Sequence, residues 1–270
     1  MMKKVVLITG ISSGFGKETA RLLAEKGHTV YGTIRKDCEV PGSVKALRMD
    51  LTDEHSIKEA VEAVLKAENR IDVLVNNAGM HSGGAIETYP TELVRLHIET
   101  NIMGTLSLIR KVLPRMRKQG GGMIINISSI GGLIGLPFQG YYSSVKFALE
   151  GISDALRMEV SGFNIKVVVI NPGDFNTNNS IARHEFLTPE TEDDPYAGQF
   201  KKTLEIIERD ENNGWGPEIL AKKIVKIAEC KNPRQRYIIA SFDQKLAVFL
   251  KYILPGKLFR KILEMHYKIG

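Results

Sequence analysis

The chain has 270 residues, 43% of them apolar and 25% charged, which suits one large α/β domain and excludes disordered, fibrous and disulfide-stapled classes. Its net charge of +6 sits at one end. Positions 231–270 carry nine Lys and Arg against two Asp and Glu, leaving the other 230 residues with 28 basic against 29 acidic side chains. With a body near neutrality and no nucleic-acid-binding motif, a nucleic-acid partner is not expected.

In chain order, Val5–Ile8 reads as the first strand, too short an apolar run for a signal peptide. The glycine-rich stretch TGISSGFG follows, and Gly16–Lys26 reads as a helix. Thr29–Thr33 is the second strand and Val44–Met49 a weaker one, followed by a helix over Asp53–Lys66. Val73–Val75 is the next strand. Thr91–Arg117 reads as one long helix, with Ile98, Ile102, Ile109, Leu113 and Met116 near helical spacing. Met123–Ile127 is a strand. Tyr142–Val160 is a helix with Val145, Leu149, Ile152 and Leu156 on one side, Val167–Ile170 a strand, and Pro217–Cys230 a further helix. Most of these strands are apolar on both faces, as in a buried parallel sheet, and the strand–helix alternation predicts a doubly wound α/β fold with helices on both faces.

The whole of 1–270 reads as a single domain, with no linker, no repeat and no run of about 18 apolar residues that could span a membrane. Within it, 174–215 breaks the rhythm and carries Phe175, Phe186, Tyr196, Phe200 and Trp215 after a strand end, where ligands bind in this architecture. It is expected to cover a substrate or, alternatively, to be a surface excursion. The tail, 241–270, mixes Leu246, Phe249, Leu250, Leu258, Phe259 and Ile262 with basic residues. That composition suits peripheral contact with an anionic membrane, and equally a helix on the covering segment or a dimer contact. The two cysteines, Cys38 and Cys230, form no framework, so a reducing cytoplasm is expected. His81, His97 and His184 show no ligand spacing, are read as ordinary residues, and no metal is expected.

Two patterns carry chemistry. The glycines of TGISSGFG (Gly10, Gly14, Gly16) stand between a strand and a helix, where backbone N–H groups and a helix dipole can hold a pyrophosphate. Tyr142 and Lys146 are four apart on a helix and share a face. An ammonium beside a phenol favours the phenolate and brings its pKa nearer the working pH of a proton donor. Tyr141 is five from Lys146 and points elsewhere.

These residues, with Asn76-Asn77-Ala78-Gly79, Asn101, Ser128-Ser129 and Pro172-Gly173 in the same order, resemble the short-chain dehydrogenase/reductase family over nearly the whole chain. The likeness is nearest to its hydroxysteroid- and retinol-dehydrogenase-like branch. The resemblance implies a Rossmann-type sheet of about seven strands and hydride transfer between a nicotinamide and a carbonyl or alcohol. It implies that Tyr142 is the proton donor, Lys146 tunes it and holds the nicotinamide ribose, Ser129 binds the substrate oxygen, and Asn101 holds a water beside Lys146. It also places Gly10, Ser12, Ser13, Gly14, Phe15 and Gly16 on the pyrophosphate and Asp50-Leu51 on the adenine. Asn77, Ala78 and Gly79 lie along the cofactor or buttress the sheet, and Pro172, Gly173 and Thr177 lie beside the nicotinamide. Asn176 and Asn178 flank Thr177 and leave its assignment open.

The family's diol-reading acid falls on Ile34, which cannot grip a ribose diol, whereas Arg35 can pair with a 2′-phosphate, so NADP(H) is expected over NAD(H). Leu133, Ile134, Leu136, Pro137 and Phe138, between Ser129 and Tyr142, suggest an apolar pocket for a lipophilic ketone, aldehyde or secondary alcohol, or else packing against the covering segment or a partner subunit. The family implies a homodimer or homotetramer through the helices at 91–117 and 142–160. A non-catalytic NADP(H)-binding sensor is the competing reading; it would not need Asn101, Ser129, Tyr142 and Lys146 together.

Overall fold

The computed structural model describes residues 3–177, 183–187 and 194–269. Seven parallel strands form one sheet in the order β3-β2-β1-β4-β5-β6-β7: β1 (Val5–Ile8), β2 (Thr29–Ile34), β3 (Lys45–Arg48), β4 (Val73–Asn76), β5 (Gly122–Ile127), β6 (Ile165–Pro172) and β7 (Arg236–Ile239). This is the Rossmann-type doubly wound sheet, and its order reverses between β1 and β4, opening a crevice at the carboxyl ends of those strands.

Alternation along each strand feeds two cores. Val6 and Ile8 of β1 face α1 (Gly14–Glu25) and α7 (Pro217–Glu229), meeting Ala20, Leu23, Leu220 and Ile224. Val5 and Leu7 face the opposite layer of α2 (Glu54–Glu68), α4 (Gly104–Lys118) and α5 (Gly140–Glu159), meeting Ile57, Val61, Leu108, Val112 and Leu156. All four residues of β1 are buried, which is why its sequence is uniformly apolar.

The edge strands read differently. β3 is mostly exposed, its Lys45 bonding Glu68 and the Tyr31 hydroxyl, which accounts for its weaker signal. β7, Arg-Tyr-Ile-Ile on the other edge, was not among the strands expected from the sequence, being four residues long and half-buried throughout.

The single helix expected over Thr91–Arg117 is divided. α3 (Thr91–Ile98) passes into a π-helical turn, Glu99–Met103, before α4 begins. Asn101 lies inside that turn and its Nδ2 donates back to the His97 carbonyl at 3.0 Å, a side chain competing for the helix's own acceptors. Within 174–215 the structure forms α6 (Ala197–Asn212); positions 178–182 and 188–193 of that segment lie outside the described residues. The tail folds into α8 (Phe242–Ile253) and α9 (Gly256–Tyr267). Val248 and Phe259 of these helices pack on Leu133 and Ile134. Among the described residues no helix is long and apolar enough to cross a membrane.

Candidate active site

A cleft of about 1070 Å³ runs across the carboxyl ends of the strands, from the β2 end to the C-terminal helices. The glycine turn forms one wall. Gly10 and Gly14 adopt φ of +70° and +55°. A Cβ at Gly10 would stand 2.9 Å from that of Ala78, and one at Gly16 would strike the Gly10 carbonyl, so both positions need glycine. Ser13 precedes α1 without capping it by its side chain, and Ser12, Ser13, Gly14 and Phe15 line the cleft. An uncapped N-terminus of a 12-residue helix behind a glycine turn fits a dinucleotide pyrophosphate.

The Asn-Asn-Ala-Gly segment ties this turn to the sheet. Thr9 Oγ1 accepts from the N–H groups of Asn77 and Ala78, each at 2.9 Å, and Asn77 Nδ2 donates to the carbonyls of Thr9 (2.9 Å) and Gly10 (3.0 Å). Its neighbour Asn76 donates to Asn126 Oδ1 at 2.8 Å, and Asn126 to Ser153 at 2.8 Å, a buried chain joining β4, β5 and α5. Asn77, Ala78 and Gly79 also line the cleft, so the segment that buttresses the sheet is exposed to the same space as the glycine turn.

At the β2 end, Ile34 is buried while Arg35 and Lys36 are exposed on the cleft wall. The nearby carboxylate of Asp37 pairs with Arg48 at 2.7 Å; among the described residues no ion pair engages Arg35 or Lys36. Asp50 and Leu51 lie on the same wall, with Asp50 Oδ1 engaged by the N–H and hydroxyl of Thr52 at 2.8 Å.

Deeper in the cleft lie Ser129, Tyr142 and Lys146, all buried. Ser129 follows the end of β5 by two residues and its Oγ accepts from Gly131 N–H at 3.0 Å; a Cβ on Gly131 would meet both this hydroxyl, at 3.4 Å, and the Tyr142 ring, at 3.2 Å. Ser128 points to the other side, against Gly132, as alternation along a strand requires. Tyr141 turns away, its hydroxyl donating to the Ile86 carbonyl at 3.0 Å. Lys146 Nζ donates to the Ile127 carbonyl at 3.0 Å and stands 5.8 Å from the centre of the Tyr142 ring.

The electrostatics differ from the expectation in one respect. Burial pushes the Tyr142 phenol up to about 12; Ser129 and Arg183 oppose the rise, while Glu211 and Asp174 add to it. Burial likewise pulls Lys146 down to about 8 against the opposing effect of Glu150. In the chain alone, desolvation of the phenolate therefore outweighs any help from the lysine.

Asn101 is committed to protein partners: its Oδ1 accepts from Met80 N–H, and its Nδ2 lies 3.3 Å from the Met80 carbonyl and from His97 Nδ1. A Cβ on Gly79 would sit 2.6 Å from Asn101 Oδ1 and 3.8 Å from Lys146 Nζ, so only a residue without a side chain passes here. The sequence reading gave no role to His81, whose ring stacks on Tyr142 with centroids 4.6 Å apart. Burial, then Arg183, Lys146 and His97, hold it well below its ordinary value, and it is neutral at pH 7. Its position next to the Asn-Asn-Ala-Gly segment was the one available signal.

Pro172 ends β6, and Gly173 N–H donates to Ile239 at 3.0 Å while Gln244 and Ala240 crowd the place of its missing side chain. Asn176 is drawn away to Trp215 and Asn212, whereas Thr177 lines the cleft with its Cβ 3.8 Å from where a Cβ on Gly14 would be. Asn178 lies outside the described residues. Phe15 meets Phe175 edge-on at 5.0 Å, and Phe175 meets Trp215 at 5.9 Å, joining the glycine turn to both ends of the 174–215 segment.

The apolar loop after Ser129 divides in two. Ile134 and Leu136 reach the cleft; Leu133 packs instead with the tail helices, and Phe138 turns to Phe200. The tail supplies part of the far wall through Ile262, Leu263, His266 and Tyr267, which the sequence did not connect to the site.

A parallel sheet with a glycine turn at its switch point and a Ser–Tyr–Lys group beside it defines a nicotinamide-dependent oxidoreductase, and the chain belongs to the short-chain dehydrogenase family, whose model matches residues 4–187. It is 46% identical over 270 residues, covering all of both chains, to a protein of Bacteroides thetaiotaomicron named 3-ketodihydrosphingosine reductase. It is 30% identical, over 98% of each chain, to the NADPH-dependent 3-dehydrocapnine reductase of Ornithobacterium rhinotracheale. Among solved structures it resembles a short-chain dehydrogenase from Streptomyces avermitilis with a TM-score of 0.79 at 30% identity, covering 99% of this chain and 97% of that one.

Proposed function

We propose that this chain is an NADP(H)-dependent reductase of a lipophilic ketone, with a long-chain 3-keto lipid as its substrate class. The observation that carries the reading is the buried Tyr142, next to Ser129 and one helix turn from Lys146, in a cleft whose other end is the glycine turn. The names of the two relatives, reductases of a 3-keto and a 3-dehydro compound, one NADPH-dependent, support the substrate class and the cofactor.

Bound nicotinamide supplies the hydride to the carbonyl carbon. Ser129 Oγ donates to the carbonyl oxygen and orients it. Tyr142, protonated throughout the neutral range because burial disfavours its phenolate, delivers the proton to that oxygen. Lys146, on the same helix face as Tyr142 and held by the Ile127 carbonyl at the end of β5, presents its ammonium to the ribose hydroxyls and to the phenolate left behind. Asn101 acts through the backbone of Met80 and the π turn, shaping the wall next to Lys146. Arg35 binds the 2′-phosphate, Asp50 and Leu51 flank the adenine, and Thr177 approaches the carboxamide. Segment 174–215 covers the substrate, with Ile207 and Trp215 facing the cleft.

In a homo-oligomer of the family's usual kind, Leu96, Ile98, Met103 and Phe147, large apolar side chains exposed on α3 to α5, would be covered. NADPH and NADH consumption by purified protein against short ketones and dispersed 3-ketodihydrosphingosine tests the reading. Faster turnover with NADPH and with the long-chain ketone is expected. Tight NADPH binding with no turnover of any carbonyl overturns it in favour of a cofactor sensor.

A further inference from the structure

Helix α8 is apolar on two opposed sides. Its inner side puts Val248 against Leu133, Ile134 and Phe259, and brings Ala247 to the cleft. Its outer side carries Phe242, Leu246, Phe249 and Ile253, four, three and four residues apart and so in one stripe, exposed by 82%, 41%, 58% and 55%. A surface helix ordinarily keeps one apolar stripe, turned to the core, and a second stripe left in solvent marks a binding face. Tyr252 (69% exposed) flanks it, and α9 adds Leu258 and Met265, seven residues apart and 48% and 71% exposed. Near these stand Lys245, Lys257, Lys261 and Lys268, all exposed, while Lys251 lies over the Phe259 ring at 5.5 Å and Arg260 pairs with Glu264 at 3.1 Å.

We propose that the outer faces of α8 and α9 dock on the surface of an anionic lipid bilayer, and that a lipid substrate reaches the cleft along the wall these helices form. The apolar stripe enters the acyl boundary and Lys245, Lys257, Lys261 and Lys268 lie among the headgroups, the arrangement of an interfacial amphipathic helix. Charge selects this occupant over a second copy of the chain: an isologous contact would set two tails of this sign face to face, whereas an anionic surface complements them. The same two helices line the cleft through Ala247, Ile262, Leu263 and Tyr267, so docking places the entrance at the membrane. The route of the substrate rests on the function proposed above; the docking does not.

Vesicle co-sedimentation of the full chain, without substrate or cofactor, is the test. Binding to phosphatidylcholine vesicles containing about 30 mol% phosphatidylglycerol should be at least about tenfold tighter than to phosphatidylcholine alone, and should weaken at about 0.5 M salt. Phe249→Ser with Ile253→Ser should lower vesicle affinity at least about tenfold without lowering the unfolding temperature, because both side chains face solvent. Lys257→Gln with Lys261→Gln should remove the preference for phosphatidylglycerol. Absence of binding to the anionic vesicles, or binding indifferent to both double variants, overturns the proposal. So does a sizing experiment in which Phe249→Ser with Ile253→Ser dissolves a dimer while vesicle binding persists, since the face would then belong to a second copy. Failure to reduce a dispersed 3-keto lipid, with vesicle binding intact, would count against the proposed function alone.

Discussion

Asn77 donates twice to Thr9: its backbone N–H to the threonine hydroxyl and its side-chain amide to the threonine carbonyl, both at 2.9 Å. The glycine turn is thereby pinned to the end of β4 on the far side of the switch point. Thr9→Val keeps the shape but leaves the N–H groups of Asn77 and Ala78 without their acceptor. An unmet buried donor costs roughly 1–3 kcal/mol. Urea unfolding should show a loss of about 2–3 kcal/mol, and NADPH titration should show weaker binding. A variant with unchanged stability would mean the pair is incidental.

The proton donor is tested by Tyr142→Phe, which removes only the hydroxyl. Turnover should fall by at least about 10²-fold, the lower end of general acid–base catalysis, with NADPH binding retained. Tyr141→Phe should be nearly silent in catalysis because its hydroxyl bonds Ile86. Loss in Tyr141→Phe with full activity in Tyr142→Phe would refute the assignment.

Cofactor choice is tested by Arg35→Ala. One charge-assisted phosphate contact is worth on the order of 1.5–3 kcal/mol, so the NADP(H)/NAD(H) preference should fall by roughly ten- to a hundredfold. Comparing kcat/KM for the two cofactors checks it; an unchanged ratio places the 2′-phosphate elsewhere.

Two buried groups should mark the pH dependence of stability with opposite signs. Asp174 is pushed up to about 7 by burial and by Glu211, Asp210 and Asp243. Its folded form binds the proton more tightly than its unfolded form, so it lowers stability as pH rises from about 4 to 7. Asp174→Asn should therefore stabilise the protein above pH 7, on the order of 2 kcal/mol after allowing for residual solvent contact, and not below pH 4. Lys146, pulled down to about 8, binds its proton less tightly when folded, so its penalty is complete below pH 8 and fades as pH rises towards 10.5. Lys146→Met should be more stable than the parent at pH 7, less so at pH 10, and inactive. Denaturant midpoints across pH read both.

The amino-acid sequence determined the parts of this protein that depend on local spacing. β1, β2, β4, β5 and β6 are short, apolar on both faces and separated by helical periodicity, so their pattern could only be buried between two helical layers. The glycine turn and the four-residue step from Tyr142 to Lys146 are likewise legible, because helix geometry alone puts the pair on one face. Position in the folded molecule decided the rest. β7 joins an edge and needs β6 as its template, so four half-buried residues gave no signal by themselves. In the break at Glu99–Met103, Asn101 bonds His97 one turn back and also Met80, the second a contact between distant chain segments that no local pattern contains. Burial, which no local pattern records, set Tyr142 and Lys146 against the expected direction of their coupling and brought His81 onto the tyrosine ring. The C-terminal helices read only as basic and apolar; their packing on Leu133 and Ile134 made one side a wall of the cleft and left the other in solvent.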